Sequence, residues 1–498
     1  NGSILFLSPS NWPEPNATAA GIRTMSLLRH FSAPSSSSTT SFGSVHFGCG
    51  AKIPESLRTV DESNTIHWHQ IEPNRSGKMK TLLRNIQNDC GPISAVVFDR
   101  FYAEEAFSFR IREICPDALL VLDMQDIHSL RLGRQCLVEE TDRLDIEEGD
   151  DRGTKNTMDR SMRMTKKLMD KVMEFDPSLF NGTGSKRREK AHDTFLRELA
   201  SVYRSDLVLV CSTDEMKLFE SWNIHKRKLV PASFFCMEAG DDMSSETTTC
   251  PKSYAFEDRK DFVTVGGFKH VPNVDAVKLL CYEIWPKIRK RLPDARMHVY
   301  GAYPPPLILS MQDKKSGFIV HGQVDDIDEV LSKSRVLLAP LRFGAGVKGK
   351  IVDAWRCGCP VVTTPVGAEG MMCEDESSDV AADGNKFTKT NDGSWGGLIA
   401  SDTNEFVDAA VKAYTQKEFW GRYQEKGSDL LNQLFNGRVN LPVVESGICD
   451  AVASLQQRRR LDVVGAILWR DAQRSTEYFS KWIELKESLA AKPESAAD

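Results

Sequence analysis

Two successive series of short apolar runs, each alternating with amphipathic stretches, confine this chain to a doubly wound α/β architecture. In the first half, residues 3–7, 44–47, 95–98, 119–122 and 207–211 read as buried parallel strands, and 19–31, 78–88, 103–115 and 190–203 have helical spacing. Strands apolar on both faces, separated by helices, imply a sheet covered on both sides. The series resumes with strands at 262–265, 296–300, 318–321, 336–339 and 360–363, and helices at 273–289, 325–332 and 348–357, with Asp325 as an expected N-cap. At 498 residues the chain exceeds one hydrophobic core, so the repetition reads as two domains.

The expected boundaries follow composition. A first domain covers 1–236, with a charge-dense insertion at about 137–189 that holds a helix near 158–172. A polar linker covers 237–260, a second domain 261–456, and a closing helix 457–498. The low-complexity run 33–41 reads as a loop. Two such domains offer a ligand the cleft between the carboxyl ends of their sheets.

Composition excludes several classes. The formal net charge of −6 gives no global attraction to nucleic acid or anionic lipid, so any anion site must be built locally. No apolar run approaches the roughly 18 residues of a membrane span. Twelve cysteines without repeated spacing suit a cytoplasmic or other reducing compartment. The chain begins at Asn1 rather than Met, so a trimmed N-terminus is expected. Cys357-Gly-Cys359 lacks the second pair a zinc site needs, and the triplets at Asn16, Asn74 and Asn181 read as chance glycosylation matches. No Gly-x-Ser-x-Gly elbow, His-Glu-x-x-His helix or Walker loop occurs, which disfavours hydrolase, metalloprotease and kinase readings.

The densest chemistry lies in 336–364, which reads as strand, glycine-rich loop, helix and second buried strand. Gly344, Gly346 and Gly349 permit tight bending and close approach of a ligand. The loop delivers unpaired N–H groups at a helix start, where the dipole favours an anion. Lys348 and Lys350 at that start oppose the macrodipole, a local conflict that a bound phosphate resolves. About one turn on, Asp353 is suited to accept both hydroxyls of a ribose.

This stretch resembles the C-terminal domain of the large retaining glycosyltransferase clan that includes glycogen synthase and sucrose synthase. It is most similar to a bacterial-type branch reading G-A-G-x-K-x-K-x-x-E/D-A, then G-x-P-V-V-x-T and G-A-E-G. The matching residues are Gly344 to Asp353-Ala354, Gly358-Cys-Pro-Val-Val-Thr363 and Gly367-Ala-Glu-Gly370. Val265-Gly-Gly-Phe268, Pro272-Asn-Val-Asp275 and Val299-Tyr-Gly301 are also similar. The resemblance implies the GT-B fold, two Rossmann-like domains facing across a cleft, with the last helix crossing back to the first domain.

Carried over residue by residue, it implies that Asp353 binds the donor ribose and that Gly346, Val347, Lys348, Gly349 and Lys350 line the diphosphate. Gly266, Gly267 and Phe268 close the other side, and Tyr303 contacts the base. Three departures stand out. The clan's glutamate pair, eight residues apart, would place its first member at Ala345. The ribose acid is Asp rather than Glu. Gly267 and Phe268 occupy a region where the clan often has Arg and later Lys, with Lys269 as a partial substitute.

In the first half, Gly21 and Arg23 lie at a helix beginning where the clan approaches phosphate or acceptor; Arg23 reads equally as a surface helix residue. Asp123, Asp126, His128 and Arg131 gather at the carboxyl end of a strand, with His128 and Asp126 as candidates for catalysis beside Lys348. Asp99-Arg100, with Glu104 one turn on, forms a second polar cluster that faces the cleft or pairs with neighbours. The aromatic stripe Trp469, Tyr478, Phe479 and Trp482 reads as packing.

The expected activity is transfer of a sugar from a nucleotide diphosphate donor to an acceptor hydroxyl with retention. It needs no metal or other cofactor, since Lys348, Lys350 and helix amides stabilise the leaving diphosphate. The acceptor is open: glycan, small molecule, protein or RNA. The alternatives are a GT-B-like binding or scaffold protein without turnover, and a sugar-nucleotide epimerase.

Overall fold

The computed structural model describes residues 2–13, 18–33, 42–55, 57, 65–72, 76–147, 186–235, 254–373 and 395–490. The chain divides into two compact units. One comprises Asn1–Asp126, Thr194–Ala232 and Arg438–Asp498, the other Ile127–Asp193 and Ser233–Gly437.

The first unit is built on a seven-stranded parallel sheet ordered β3-β2-β1-β4-β5-β6-β7. The strands are β1 Ser3–Ser8, β2 Ser44–Cys49, β3 Ile66–Gln70, β4 Ile93–Asp99, β5 Leu119–Asp123, β6 Leu207–Val210 and β7 Leu229–Pro231. The central strands β1, β5 and β6 are buried throughout, as their continuous Val, Leu and Ile runs require. Two strands of this sheet are not among those expected from the sequence, for physical reasons. β3 is an edge strand, Ile-His-Trp-His-Gln, in which only Ile66 is fully buried, so it has no apolar run. β7 has only three residues.

The second unit carries a six-stranded parallel sheet ordered β10-β9-β8-β11-β12-β13. Its strands are β8 Lys260–Val265, β9 Met297–Tyr300, β10 Phe318–Gly322, β11 Ser334–Ala339, β12 Val361–Thr363 and β13 Gly397–Ile399. Both sheets repeat the Rossmann order, in which the first strand is central and the direction of winding reverses beside it. The reversal lies between β1 and β4 in one unit and between β8 and β11 in the other.

Local differences from the sequence reading have identifiable causes. The helix expected at 273–289 is Val271–Leu279, a π-helical turn Leu280–Ile284, and Trp285–Arg291. Pro286 has no N–H to return to the preceding turn, and widening that turn accommodates it. The helix expected at 325–332 is Ile327–Lys333, capped by Asp326 rather than Asp325; the Asp326 carboxylate accepts from the Glu329 amide at 3.0 Å.

The aromatic stripe near the C-terminus divides rather than packing as a whole. In the helix Val463–Ala490, Trp469 donates to the Arg204 carbonyl at 2.8 Å and lies under the Arg112 guanidinium. Tyr478, nine residues on and so about 180° around the helix, is 68% exposed, and Trp482 is 54% exposed. The helix expected near 158–172 and most of the run 33–41 lie outside the described residues. So do residues 148–185 of the expected insertion and 237–253 of the expected linker. Among the described residues, no helix is long and apolar enough to cross a membrane.

Candidate functional site

The second unit's winding reversal is flanked by two loops, one after β8 and one after β11. After β11 the chain runs through Pro340 to Lys348 into the helix Gly349–Arg356. Lys348 is the N-cap, and no side chain caps the helix, so its leading amides lack the usual Ser, Thr or Asp acceptor. Gly346 adopts φ +65°, a conformation that favours glycine, and turns the loop back so that its carbonyl accepts from the Lys348 ammonium. Val347 is partly exposed.

Lys350 donates to Asn273 Oδ1 at 2.6 Å. Burial, reinforced by the charge of Lys348, pushes the Lys350 ammonium down to about 7. Asn273 Nδ2 in turn donates to the Gly267 carbonyl at 2.8 Å, so one amide side chain joins the two loops. In the sequence Asn273 shows only as part of the Pro-Asn-Val-Asp motif. Gly266 has φ +154°, and a Cβ there would fall 2.5 Å from Asn273 Nδ2. A Cβ on Gly301 would fall 2.1 Å from the Gly266 carbonyl oxygen. A Cβ on Gly267, by contrast, meets nothing within 4 Å. Gly267 therefore borders open space.

Asp353 is half-buried, with its carboxylate 3.9 Å from the Arg356 guanidinium. Arg356 is already held by both oxygens of Asp328. Burial pushes the Asp353 carboxyl up to about 6; Arg356 opposes the shift and the Asp328 charge adds to it. Tyr303 is 65% exposed in a left-handed backbone conformation, φ +59°, with the Lys269 ammonium 3.8 Å from its ring centroid. Phe268 corrects the sequence expectation. Its ring belongs to the core cluster with Phe262, Val299 and Ile308, because an apolar ring at a strand end gains more from burial than from a polar loop. Only its backbone lies at the loop.

Two buried arginines, unremarked at the sequence level, anchor the glycine loop within this unit. Arg342 bridges Asp142 and Asp275, its nitrogens lying 2.5 to 2.9 Å from their oxygens. Arg134 is fully buried; it donates to the Gly344 carbonyl at 2.7 Å and to both oxygens of Glu369 at 2.7 and 2.6 Å. Both Asp142 and Arg134 come from the helix His128–Glu147. His128, its first residue, is partly exposed, as is Asp126 just before it.

In the first unit the polar cluster at the carboxyl ends of β4 and β5 is largely self-satisfied. Arg23 is 1% exposed, pairs with Asp123 at 2.5 Å and donates to the Ala232 carbonyl at 3.0 and 2.7 Å. It is neither a surface residue nor open to a phosphate. The Gly21 amide is taken by the Thr18 hydroxyl at 3.0 Å, which caps the helix Ala19–Ser32. Glu104 is also internal, held by Arg204 and by the Ser201 hydroxyl at 2.9 Å. Asp99 accepts from the Ser8 hydroxyl at 3.1 Å and from Arg100 at 3.1 and 3.2 Å. Arg100 sits at φ +71°, a strained conformation for a residue with a side chain, at the strand end beside the winding reversal. Arg131 is partly exposed.

Residues 259–416 match the family described as glycosyl transferases group 1. That stretch is thus similar to a glycosyltransferase group 1 domain. The matched stretch contains β8 to β13, the Gly344 loop and Asp353. The whole chain is similar in fold to sucrose-phosphate synthase from Thermosynechococcus elongatus, at 11% identity and TM-score 0.58, covering 91% of this chain and 100% of that one. It is similar to HepE from Anabaena in complex with UDP and glucose, at 11% identity and TM-score 0.52, covering 92% and 100%. A glycosyltransferase from Rickettsia africae matches at 9% identity and TM-score 0.51, covering 91% and 98%. No curated protein matches the sequence. The matched stretch thus lies within a chain of two Rossmann-like domains, the fold it shares with these glycosyltransferases.

Proposed function

We propose that this chain transfers a sugar from a nucleotide diphosphate donor to an acceptor hydroxyl, with the anomeric configuration retained. The observation that carries the reading is the uncapped start of the helix Gly349–Arg356, with two lysines at the turn and an acid one turn on. The donor diphosphate sits at Gly346 to Lys350, where amides and two ammonium groups converge. Asp353 accepts the ribose hydroxyls, and Gly266 and Gly267 close over the nucleotide. Tyr303 stacks on the base. As the glycosidic bond breaks, charge gathers on the diphosphate, and Lys348 and Lys350 stabilise it without a metal ion. His128 bonds a donor sugar hydroxyl, with Asp126 beside it, while Asp99 and Arg100 remain the acceptor-side candidates of the first unit. HepE was crystallised with UDP and with UDP-glucose, which puts UDP first among nucleotides to try.

Calorimetry of the full chain against UDP, GDP and ADP tests the reading. One nucleotide is expected to bind, and Lys348→Ala and Asp353→Ala each to weaken it by about 10- to 100-fold, the worth of one charge-assisted hydrogen bond. Unchanged affinity in both variants would remove the donor site from this loop. A second reading rests on Ala345, which stands where the clan has an acid: a binding protein without turnover. Slow release of nucleoside diphosphate from labelled UDP-sugars separates the two, since binding without release favours the second.

A further inference from the structure

The first unit contains an open cavity of about 240 Å³, remote in sequence from the glycine loop and unused by the proposed reaction. Its charged lining is Arg227 and Lys228 from the basic triplet Lys226-Arg-Lys228, a single 3-10 turn, Arg458 from the triplet Arg458-Arg-Arg460 at the end of the helix Leu455–Leu461, and the carboxylates of Asp206 and Asp462. Some of these cations are internally balanced. Lys228 is buried, pairs with Asp462 at 2.7 Å and donates to the Tyr203 carbonyl at 2.8 Å. Arg459 grips both oxygens of Asp206 at 2.9 and 2.8 Å, and Lys226 pairs with Glu220.

Arg227 and Arg458 are different. Both line the cavity, and among the described residues neither has a carboxylate within ion-pair distance. Arg458 instead spends its donors on the Arg227 carbonyl at 2.6 Å and the Ser454 hydroxyl at 2.9 Å, which draws the two guanidinium-bearing residues together. Burial and the neighbouring Arg227 pull the Arg458 guanidinium down, against the charges of Asp206 and Asp450. Like charges held together at an open concavity are a standing cost that an anion removes.

The rim of the same cavity is apolar. Leu461, Val463 and Val464 line it and are exposed, with Ile467 exposed one turn further along the helix Val463–Ala490. At 100° per residue, Val464, Ile467, Tyr478, Trp482 and Leu485 fall on one side of that helix, and all are exposed. Lysines 481 and 486 lie over the Tyr478 and Trp482 rings. Exposed aliphatic and aromatic side chains beside unpaired arginines match the two layers of an acidic bilayer surface: phosphate at the cavity, acyl boundary at the rim.

We infer that this face of the first unit docks on acidic membranes, with the cavity at Arg227 and Arg458 taking a phospholipid phosphate and the Val463–Ile467 turn entering the interface. The complementarity is local. The chain as a whole carries −6 and would be repelled by such a surface if its charge were evenly spread. Docking lays the chain on the membrane and inserts no span.

Co-sedimentation of the full chain with phosphatidylcholine vesicles, with and without phosphatidylserine, tests the inference. Binding is expected only to the serine-containing vesicles and falls as salt rises. Arg227→Ala and Arg458→Ala each lower partitioning about fivefold, the value of one cation near an acidic surface. Val463→Ser with Val464→Ser lowers it at unchanged charge, and thermal melts of the same variants report folding separately. Calorimetry with inorganic phosphate and glycerol phosphate forms the other arm. Binding of either without binding to vesicles makes the cavity a site for a free phosphate and overturns the membrane assignment. Vesicle binding that the four substitutions leave intact overturns it too, as does no binding to any probe. None of these outcomes depends on nucleotide binding in the second unit.

Discussion

Lys350 and Asp353 carry opposite strains into the same helix. The ammonium is held near neutrality by burial and by Lys348, while the carboxyl is raised to about 6. A diphosphate beside Lys350 reverses the first shift, so binding above pH 7 takes up a proton. Titrations with nucleotide at pH 8 in buffers of differing ionisation enthalpy should show that uptake, and Lys350→Met should abolish it. Asp353 has the inverse linkage. Its folded pKa lies above the unfolded value, so ionisation costs stability above about pH 6, and the cost disappears as pH falls toward the unfolded pKa. Asp353→Asn should therefore stabilise the free protein at pH 8 by about 1–2 kcal/mol. The gain should vanish near pH 4, and the same variant should bind nucleotide less tightly. Melting temperatures across that pH range check the first half, and calorimetry the second. Sequence made both residues legible because glycine spacing and charge are local properties. Asn273, Arg134 and Arg342 were not legible, because their partners lie 77, 235 and 200 residues away.

At the scale of elements, parallel strands announced themselves where a buried apolar run was long enough to read and stayed silent where it was polar or only three residues long. β1, β5, β6 and β11 are continuous apolar runs, whereas β3 alternates polar rings and β13 has three residues. The loops after β8 and β11 show the same division between open and closed positions. Gly267→Ala meets open space and should leave the fold within about 0.5 kcal/mol of the parent. Gly301→Ala drives a methyl into the Gly266 carbonyl and should destabilise by about 2 kcal/mol or more. Urea unfolding of the two variants provides the comparison. Arg134→Met strands Glu369 and leaves the Gly344 carbonyl without this donor, an expected loss of about 3–5 kcal/mol in the same measurement.

For the whole molecule, the twofold strand-helix rhythm was sufficient to identify two parallel-sheet domains, since that pattern is dictated by burial rather than by function. It did not reveal which segments join which unit, because tertiary packing, not periodicity, assigns the helix His128–Glu147 to the second unit. Only that unit contains the proposed nucleotide loop, so ligand should act unevenly. Saturating nucleotide should slow amide exchange across residues 344–353 and 266–268 while leaving β1 to β7 unchanged. Uniform protection across both sheets would contradict a donor site confined to this loop.

Neither unit is a continuous length of chain. The first needs strands made at the start and helices made at the end; the second borrows a helix synthesised about two hundred residues before the glutamate and carbonyl it grips. On the ribosome the guanidinium of Arg134 must wait for Glu369 to emerge, and the early sheet must wait for residues beyond Gly437. Such distant pairings are slow to find, so both units are expected to close late and close together, leaving apolar edges uncovered for most of translation.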